Sequence, residues 1–308
     1  LSNPIGLAAG FDKNAEALKG LLKSGFSFIE VGTVTPKPQE GNKKPRIFRL
    51  KKSKSMINSL GFPNKGAEKV YDNILKIRKN HSLRTEPLIG VNIGCNKKSE
   101  NPINDYLYCI EKFYSVADYI TINISSPNTP GLREIQEKGN IEKLLKKISK
   151  IKDKRPTLLK LSPDISMKNL ENLCKLALEY DFINGLVLTN TTISRESLYK
   201  KQCKNSWKIL EDGGLSGPPL RERANEIIKT TYQLTNGRLL IVGVGGISNA
   251  KDVFEKISFG ASLVQIYTVL IYKGPGVVIK ILNELSELLK KKGFKNINEL
   301  IGKNVKYD

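Results

Sequence analysis

The chain has 308 residues, 39% of them hydrophobic, and contains no apolar run long enough to span a bilayer. It has one histidine, His81, and four cysteines without a C-x-x-C pair, which disfavours a metal site or a Ser–His–Asp triad. The formal net charge of +21 has three interpretations, of which a solvated lysine-rich surface is favoured and attraction to an anionic substrate or membrane comes second. Nucleic-acid binding comes last, because the chain has no basic motif interleaved with aromatic residues.

Eight short apolar, β-branched segments recur along the chain, separated by helix-length stretches such as 141–152 and 170–179. Alternating strands and helices predict parallel pairing, and eight such units favour an α/β fold of the (β/α)8 TIM barrel type. A doubly wound open sheet is the alternative, because periodicity alone cannot close a barrel. No linker interrupts the pattern, so residues 1–308 are predicted to form a single domain. The predicted strands are residues 5–9, 28–32, 88–93, 119–123, 157–161, 185–189, 240–244 and 263–267.

Two connections are too long for a single helix. Residues 41–69 follow the second predicted strand, and residues 191–220 follow the sixth. Both would leave the C-terminal face of a barrel, where long loops usually form lids or substrate walls. We therefore expect loop insertions over that face.

Residues 123–133, which we call the serine loop, read Asn-Ile-Ser-Ser-Pro-Asn-Thr-Pro-Gly-Leu-Arg and follow the apolar run 119–122. Two amides, two serines and a threonine thus come where a strand ends, which is the ligand-binding edge of parallel α/β proteins. The two prolines and the glycine indicate a loop of fixed shape, which suits a hydroxyl placed beside a substrate. An ordinary polar turn is the alternative.

Polar side chains also follow the other predicted strands. Amides and a lysine in or beside apolar strands are costly to bury without partners, so this many at one end predict a planar, polar ligand. The glycines after the seventh strand, together with Tyr267 and Thr268, indicate a phosphate cup. One phosphate with a lysine deeper in the barrel favours flavin mononucleotide (FMN) over a dinucleotide. The residues at the strand ends include Lys13, Asn14, Thr33, Asn92, Asn123, Lys160, Thr189, Asn190, Thr191, Gly243, Gly245 and Gly246.

Several of these segments, in this order, resemble the dihydroorotate dehydrogenase family. That family consists of FMN barrels that oxidise (S)-dihydroorotate to orotate in pyrimidine biosynthesis. Its soluble class has a cysteine as base, and its membrane-associated, quinone-reducing class has a serine. Ser126 stands at that position, so the resemblance implies the quinone-dependent (class 2) enzyme. The matching segments are residues 8–14, 30–36, 45–50, 57–62, 123–133, 189–192, 213–217 and 243–248.

The resemblance implies that Ser126 removes the C5 proton while a hydride passes from C6 to flavin N5. Thr129 or an ordered water would carry the proton away, and Lys13 with Asn58 would hold the substrate carboxylate. The remaining substrate-binding residues would be Phe62, Asn123, Asn128, Asn190 and Thr191, with Thr129 also in contact. The cofactor-binding residues would be Ala9, Gly10, Thr33, Asn92, Asn123, Lys160, Thr189, Ser216, Gly217, Gly245, Gly246, Tyr267 and Thr268.

The same class implies a quinone as electron acceptor, no metal and no nucleic-acid partner. It carries a pair of N-terminal helices that contact the membrane, and we expect such a segment before residue 1. The expected location is peripheral, on a bacterial or mitochondrial inner membrane. Two rivals remain: a dihydrouridine synthase, which would use a cysteine acid and an added helical domain, and a basic nucleic-acid-binding barrel, against which a yellow purified protein would count.

Overall fold

The computed structural model describes residues 1–128, 138–152, 155–200 and 207–306. Alternation of strands and helices along these ranges follows the predicted pattern. The strands are β1 (Ile5–Leu7), β2 (Phe28–Val34), β3 (Ile47–Leu50), β4 (Ser55–Asn58), β5 (Leu88–Ile93), β6 (Tyr119–Asn123), β7 (Thr157–Leu161), β8 (Ile183–Leu188), β9 (Gly214–Ser216), β10 (Leu240–Val244) and β11 (Leu263–Ile266). The helices are α1 (Leu18–Leu21), α2 (Gly66–Arg78), α3 (Pro102–Phe113), α4 (Lys138–Ile148), α5 (Met167–Glu179), α6 (Glu196–Lys200), α7 (Arg221–Thr235), α8 (Ala250–Ser258), α9 (Thr268–Lys273) and α10 (Val277–Lys291).

Eight parallel strands close into a barrel in the order β1-β2-β5-β6-β7-β8-β10-β11. Closure is made by β1, in which Gly6 pairs with Phe28 of β2 while Ile5 pairs with Val264 of β11. The (β/α)8 prediction is therefore confirmed, and the open sheet is excluded. All eight barrel strands overlap the segments predicted from the sequence.

The two predicted helices differ from the observed ones at their ends. Helix α5 begins three residues before the predicted 170, because the Ser166 side chain accepts the N–H of Asn169 at 3.2 Å and caps it. Helix α4 ends before the predicted 152, because its last turn tightens to i→i−3 bonds such as Ile151 N–H to Ile148 O. Capping and tightening of this kind shift boundaries without changing the element order.

The two long connections do not form separate lids; they join. Strand β4 pairs antiparallel with β3 on one side and with β9 on the other, although β9 lies about 160 residues later in the chain. We call this three-stranded unit the small sheet. Its own apolar cluster contains Phe48, Ile57 and Leu215. Hydrophobic burial thus holds the two insertions to each other over the C-terminal face of the barrel.

The N-terminal half of the barrel interior is filled by large side chains. Phe28 and Tyr119 lie there edge to face, with ring centroids 6.3 Å apart. Glycine at positions 6 and 90 makes room for them, since a Cβ would approach the Phe28 ring to 2.3 Å and the Tyr119 ring to 2.0 Å. Interior space is therefore left toward the C-terminal end. Across the described ranges, no helix combines the length and apolar character needed to cross a membrane.

Candidate active site

A cavity opens between the carboxyl ends of the barrel strands and the small sheet. Its lining brings together residues that the sequence analysis assigned to substrate and to cofactor. Thr129 lies outside the described residues, and Asn92 lies behind the wall, fully buried. The predicted residues that line the cavity are Ala9, Gly10, Lys13, Thr33, Asn58, Phe62, Asn123, Ser126, Asn128, Lys160, Thr189, Asn190, Thr191, Ser216, Gly217, Gly245, Gly246, Tyr267 and Thr268.

Ser126 is buried at the cavity wall just after β6 ends. Its Oγ accepts the backbone N–H of Asn128 at 3.2 Å, which fixes the oxygen within a two-residue turn. The Asn128 side chain in turn donates to the Asn58 carbonyl oxygen at 3.1 Å. The serine loop is thereby tied to β4, so the small sheet helps to position the candidate base.

Lys13 follows β1 and points along the cavity, where its amino group donates to the Gly10 carbonyl. Burial and, to a smaller extent, the charge of nearby Arg46 lower the pKa of Lys13 to about 8, although Asp12 opposes both effects. Asp12 itself accepts the N–H groups of Glu16 and Ala17 at 3.0 and 2.8 Å. A desolvated ammonium at this position suits an anionic ligand group.

Lys160 on β7 is 5% exposed, and its side chain makes no hydrogen bond or ion pair with another described residue. Burial lowers its pKa, and the charge of Glu30 raises it. Nearby in the lining, Gln265 has a buried side-chain oxygen without a partner. Buried groups left in this way are rare in native proteins, and a polar ligand in the cavity would satisfy both.

The far end of the cavity is shaped by glycines in left-handed conformations. Gly217, Gly245 and Gly246 have φ values of 97°, 111° and 77°. A Cβ on Gly246 would approach the Arg221 Cβ to 2.4 Å, so the backbone there lies against the start of α7. These glycines also line the cavity, and exposed backbone N–H groups at such a turn suit a phosphate.

The sequence alone assigns no role to Glu30, which lies in a predicted strand and opens the matching segment 30–36. This side chain points into the barrel from β2 and is fully buried, where it accepts hydrogen bonds from four residues. An acid inside an apolar strand is itself a signal, because an unpartnered carboxylate would be very costly to bury. The donors are Asn92 at 2.8 Å, Gln265 at 2.8 Å, Thr121 at 3.0 Å and Tyr119 at 3.4 Å.

The sequence profile of the dihydroorotate dehydrogenase family matches residues 1–289. A protein of Bartonella henselae named dihydroorotate dehydrogenase (quinone) is 42% identical, over 99% of this chain and 83% of its own length. The mitochondrial dihydroorotate dehydrogenase (quinone) of Mus musculus is 43% identical, over 97% of this chain and 76% of its own.

Solved structures agree with these matches. A ligand-free DHODH from Eimeria tenella superposes with a TM-score of 0.91 at 38% identity, covering 99% of this chain and 89% of that one. The same protein in complex with ferulenol gives a TM-score of 0.87 at 37% identity, covering 97% and 85%. The resemblance drawn from the sequence motifs is confirmed: the chain belongs to the dihydroorotate dehydrogenase family, among its quinone-dependent members.

Proposed function

We propose that this chain oxidises (S)-dihydroorotate to orotate with FMN as cofactor and passes the electrons to a quinone. One observation carries the proposal: Lys13, Ser126 and Lys160 converge on a single cavity from three different strand ends. They supply a cation for a carboxylate, a hydroxyl for proton transfer and a buried cation for an anionic ring. Residues 1–308 would form one FMN-binding barrel domain.

The cavity residues fit FMN. Lys160 and the unpartnered oxygen of Gln265 lie on the barrel side of the cavity, where a planar ring with donors and acceptors would satisfy them. Gly245 and Gly246 line the other end of the cavity, where their backbone N–H groups would hold the phosphate. Bound there, FMN would accept the hydride from substrate C6. Further contacts are proposed for Ala9, Gly10, Thr33, Asn123, Thr189, Ser216, Gly217, Tyr267 and Thr268, with Asn92 acting from behind the wall.

Lys13 would bind the substrate carboxylate, assisted by the Asn58 amide. A carboxylate would offset the burial that lowers the pKa of Lys13, so the charge pair forms where water is excluded. Phe62 would cover the pyrimidine ring from the side of the small sheet. The ring amides would be bound by Asn123, Asn128, Asn190 and Thr191.

Ser126 would take the proton from C5. A serine hydroxyl is a weak base near neutral pH, so it must hand on its own proton as it receives one. Thr129 or a water would carry this proton away. The bond from Asn128 N–H holds the Ser126 oxygen in place during the transfer.

We propose a quinone as acceptor because the similar proteins of Bartonella henselae and Mus musculus are both named dihydroorotate dehydrogenase (quinone). With a quinone as acceptor, the protein would work at the surface of a bacterial or mitochondrial inner membrane as a peripheral protein. We propose neither a metal nor a nucleic-acid partner.

The test is an anaerobic absorbance titration of the purified holoprotein. A flavin spectrum should be present as isolated, and dihydroorotate should bleach it in a ratio of one substrate to one flavin. Dihydrouracil, which lacks the carboxylate, is the matched control and should leave the flavin oxidised. A flavin that dihydroorotate does not bleach would contradict the proposed substrate, and a colourless protein that takes up no FMN would contradict the cofactor.

A further inference from the structure

Five polar side chains in and behind the cavity wall form a hydrogen-bonded series in which every bond points the same way. We call Thr33, Asn92, Asn123, Ser125 and Asn190 the polar series. The Thr191 backbone N–H donates to Asn190 Oδ1 at 2.8 Å, and Asn190 Nδ2 donates to Ser125 Oγ at 3.0 Å. Ser125 Oγ donates to Asn123 Oδ1 at 2.9 Å. The direction at this end is set by backbone N–H groups, which can only donate.

The series ends on a carboxylate. Asn123 Nδ2 donates to Thr33 Oγ1 at 3.0 Å and to Asn92 Oδ1 at 3.2 Å, and Thr33 Oγ1 donates to the same Asn92 oxygen at 2.6 Å. Asn92 Nδ2 then donates to Glu30 Oε1 at 2.8 Å. A carboxylate only accepts, so it requires Asn92 to present its nitrogen to Glu30 and its oxygen to Thr33 and Asn123.

The second carboxylate oxygen is occupied on the other side. Thr121, Gln265 and Tyr119 all donate to Glu30 Oε2, from β6 and β11. Glu30 therefore has a donor on each oxygen and joins three other strands of the barrel. It is also the charge that opposes the effect of burial on Lys160.

From this geometry we propose that Glu30 is a positioning residue, which sets the donor–acceptor pattern that Thr33 and Asn123 present to ligands in the cavity. The inference rests on the proposed function, since it names these ligands as the flavin and the pyrimidine ring. Glu30 acts through Asn92 and does not itself touch the ligand.

The substitution Glu30→Gln tests the direction of the series. Three donors meet at the Oε2 position, so the new amide must place its oxygen there and its NH2 group toward Asn92. Two NH2 groups would then face each other, and Asn92 must turn over to avoid this. The Asn92 nitrogen would then face Thr33 and Asn123. Both residues would have to accept a hydrogen bond from Asn92, whereas they donate to it in the unmodified protein. The cavity wall would then present an altered pattern of hydrogen-bond donors and acceptors, although the side chain at position 30 keeps its volume.

The control Thr121→Val removes one donor from the same carboxylate, on the side away from Asn92. It costs a buried hydrogen bond but leaves the charge and the direction of the series intact.

The readouts are the dissociation constants of orotate and of benzoate, measured from the flavin spectrum. Benzoate has the carboxylate that Lys13 would bind, but it has none of the ring amides that Thr33 and Asn123 would hydrogen-bond.

Glu30→Gln should weaken orotate binding at least tenfold, because a tenfold change in affinity corresponds to the loss of about one good hydrogen bond. The affinity for benzoate should change less than about threefold. Thr121→Val should leave both within about threefold. Equal weakening of both ligands by Glu30→Gln, or unchanged orotate binding, would overturn the proposal. So would a Thr121→Val protein that behaves like Glu30→Gln.

Should Glu30→Gln not fold, Asn92→Leu decides, because it cuts the series at its last member and leaves Glu30 with three donors. The same selective loss of orotate is expected, and wild-type orotate affinity in that variant would overturn the inference. Orotate binding by the unmodified holoprotein distinguishes failure of the proposed function from failure of the inference about Glu30. If the unmodified protein does not bind orotate, the proposed function fails, and the inference fails with it.

Discussion

Ser126 combines burial with a fixed oxygen, which is what a serine needs to act as a base in a closed site. Ser126→Ala should retain FMN but slow flavin reduction by dihydroorotate about 10²–10⁴-fold, the usual contribution of a general base. Ser126→Cys should retain more activity, because a thiol can transfer the same proton. Anaerobic stopped-flow reduction measures both variants, and a near-normal rate for Ser126→Ala would remove the serine from its role.

Lys13 predicts the pH dependence of ligand binding. Its pKa of about 8 in the free protein lies below the ordinary value because burial disfavours the charged form. The ammonium must be protonated to pair with a carboxylate. Orotate should therefore bind tightly below about pH 8 and more weakly above it, by up to about tenfold per pH unit, because binding then requires uptake of a proton.

Two variants check that this dependence belongs to Lys13. Lys13→Ala should weaken orotate by about 2–5 kcal/mol, the scale for removing one partner of a desolvated charge pair, and should abolish the break near pH 8. Lys13→Arg stays charged and should bind orotate without the break near pH 8. Titration of the flavin spectrum with orotate from pH 6.5 to 9.5 measures the profile. A flat profile in the unmodified protein would assign the carboxylate to another residue.

At the scale of elements, the small sheet is what connects substrate groups that come from distant parts of the chain. Asn58 on β4 pairs with Gly214 on β9. A Cβ on Gly214 would lie 1.8 Å from Thr191 Oγ1. The contact places β9 directly against Thr191, whose backbone N–H donates to Asn190 of the polar series. Packing in this sheet should therefore affect ligand binding more than it affects folding of the barrel.

The substitution Gly214→Ala tests this connection. Thr191 or β9 must shift, since real Cβ atoms never approach another atom so closely, and orotate binding should fall about tenfold or more. Gly139→Ala in α4 is the control, because its Cβ would meet nothing within 4 Å. Orotate titration and thermal unfolding are compared for both variants. Unchanged orotate affinity in Gly214→Ala would show that the small sheet yields without disturbing the site.

At the scale of the whole molecule, the barrel is packed with side chains at its N-terminal end and open to a ligand at the other. The Lys160 ammonium and the Gln265 side-chain oxygen have no hydrogen-bond partner among the described residues of that open half. Their burial costs stability until a ligand satisfies them, so cofactor and fold are thermodynamically linked.

Removal of FMN should therefore lower the melting temperature. Restoring FMN at 100 times its dissociation constant stabilises a protein by about 2.7 kcal/mol, and this should raise the midpoint by about 4 °C for a chain of this size. Circular dichroism at 222 nm follows the transition without interference from flavin fluorescence. Riboflavin, which lacks the phosphate, should stabilise less if the glycine end of the cavity holds that group. Identical midpoints with and without FMN would show that the folded protein does not bind it.

The sequence by itself determined the eight barrel strands, their order and most of the residues that line the cavity. Strand character follows from local runs of apolar and β-branched residues, and in a parallel barrel the strand ends meet at one face whatever the rest of the chain does. Ser126, Lys13 and Lys160 could be placed for that reason, and the family resemblance supplied their proposed roles.

Only the tertiary structure decided how distant segments combine. Closure depends on the pairing of Ile5 with Val264, and the small sheet depends on Ile57 pairing with Leu215. Neither contact leaves a periodic signal, since such pairing is selected by the packing of the whole molecule. The same holds for Glu30: its role arises from four donors contributed by three other strands, and their meeting at one carboxylate is a property of the closed barrel.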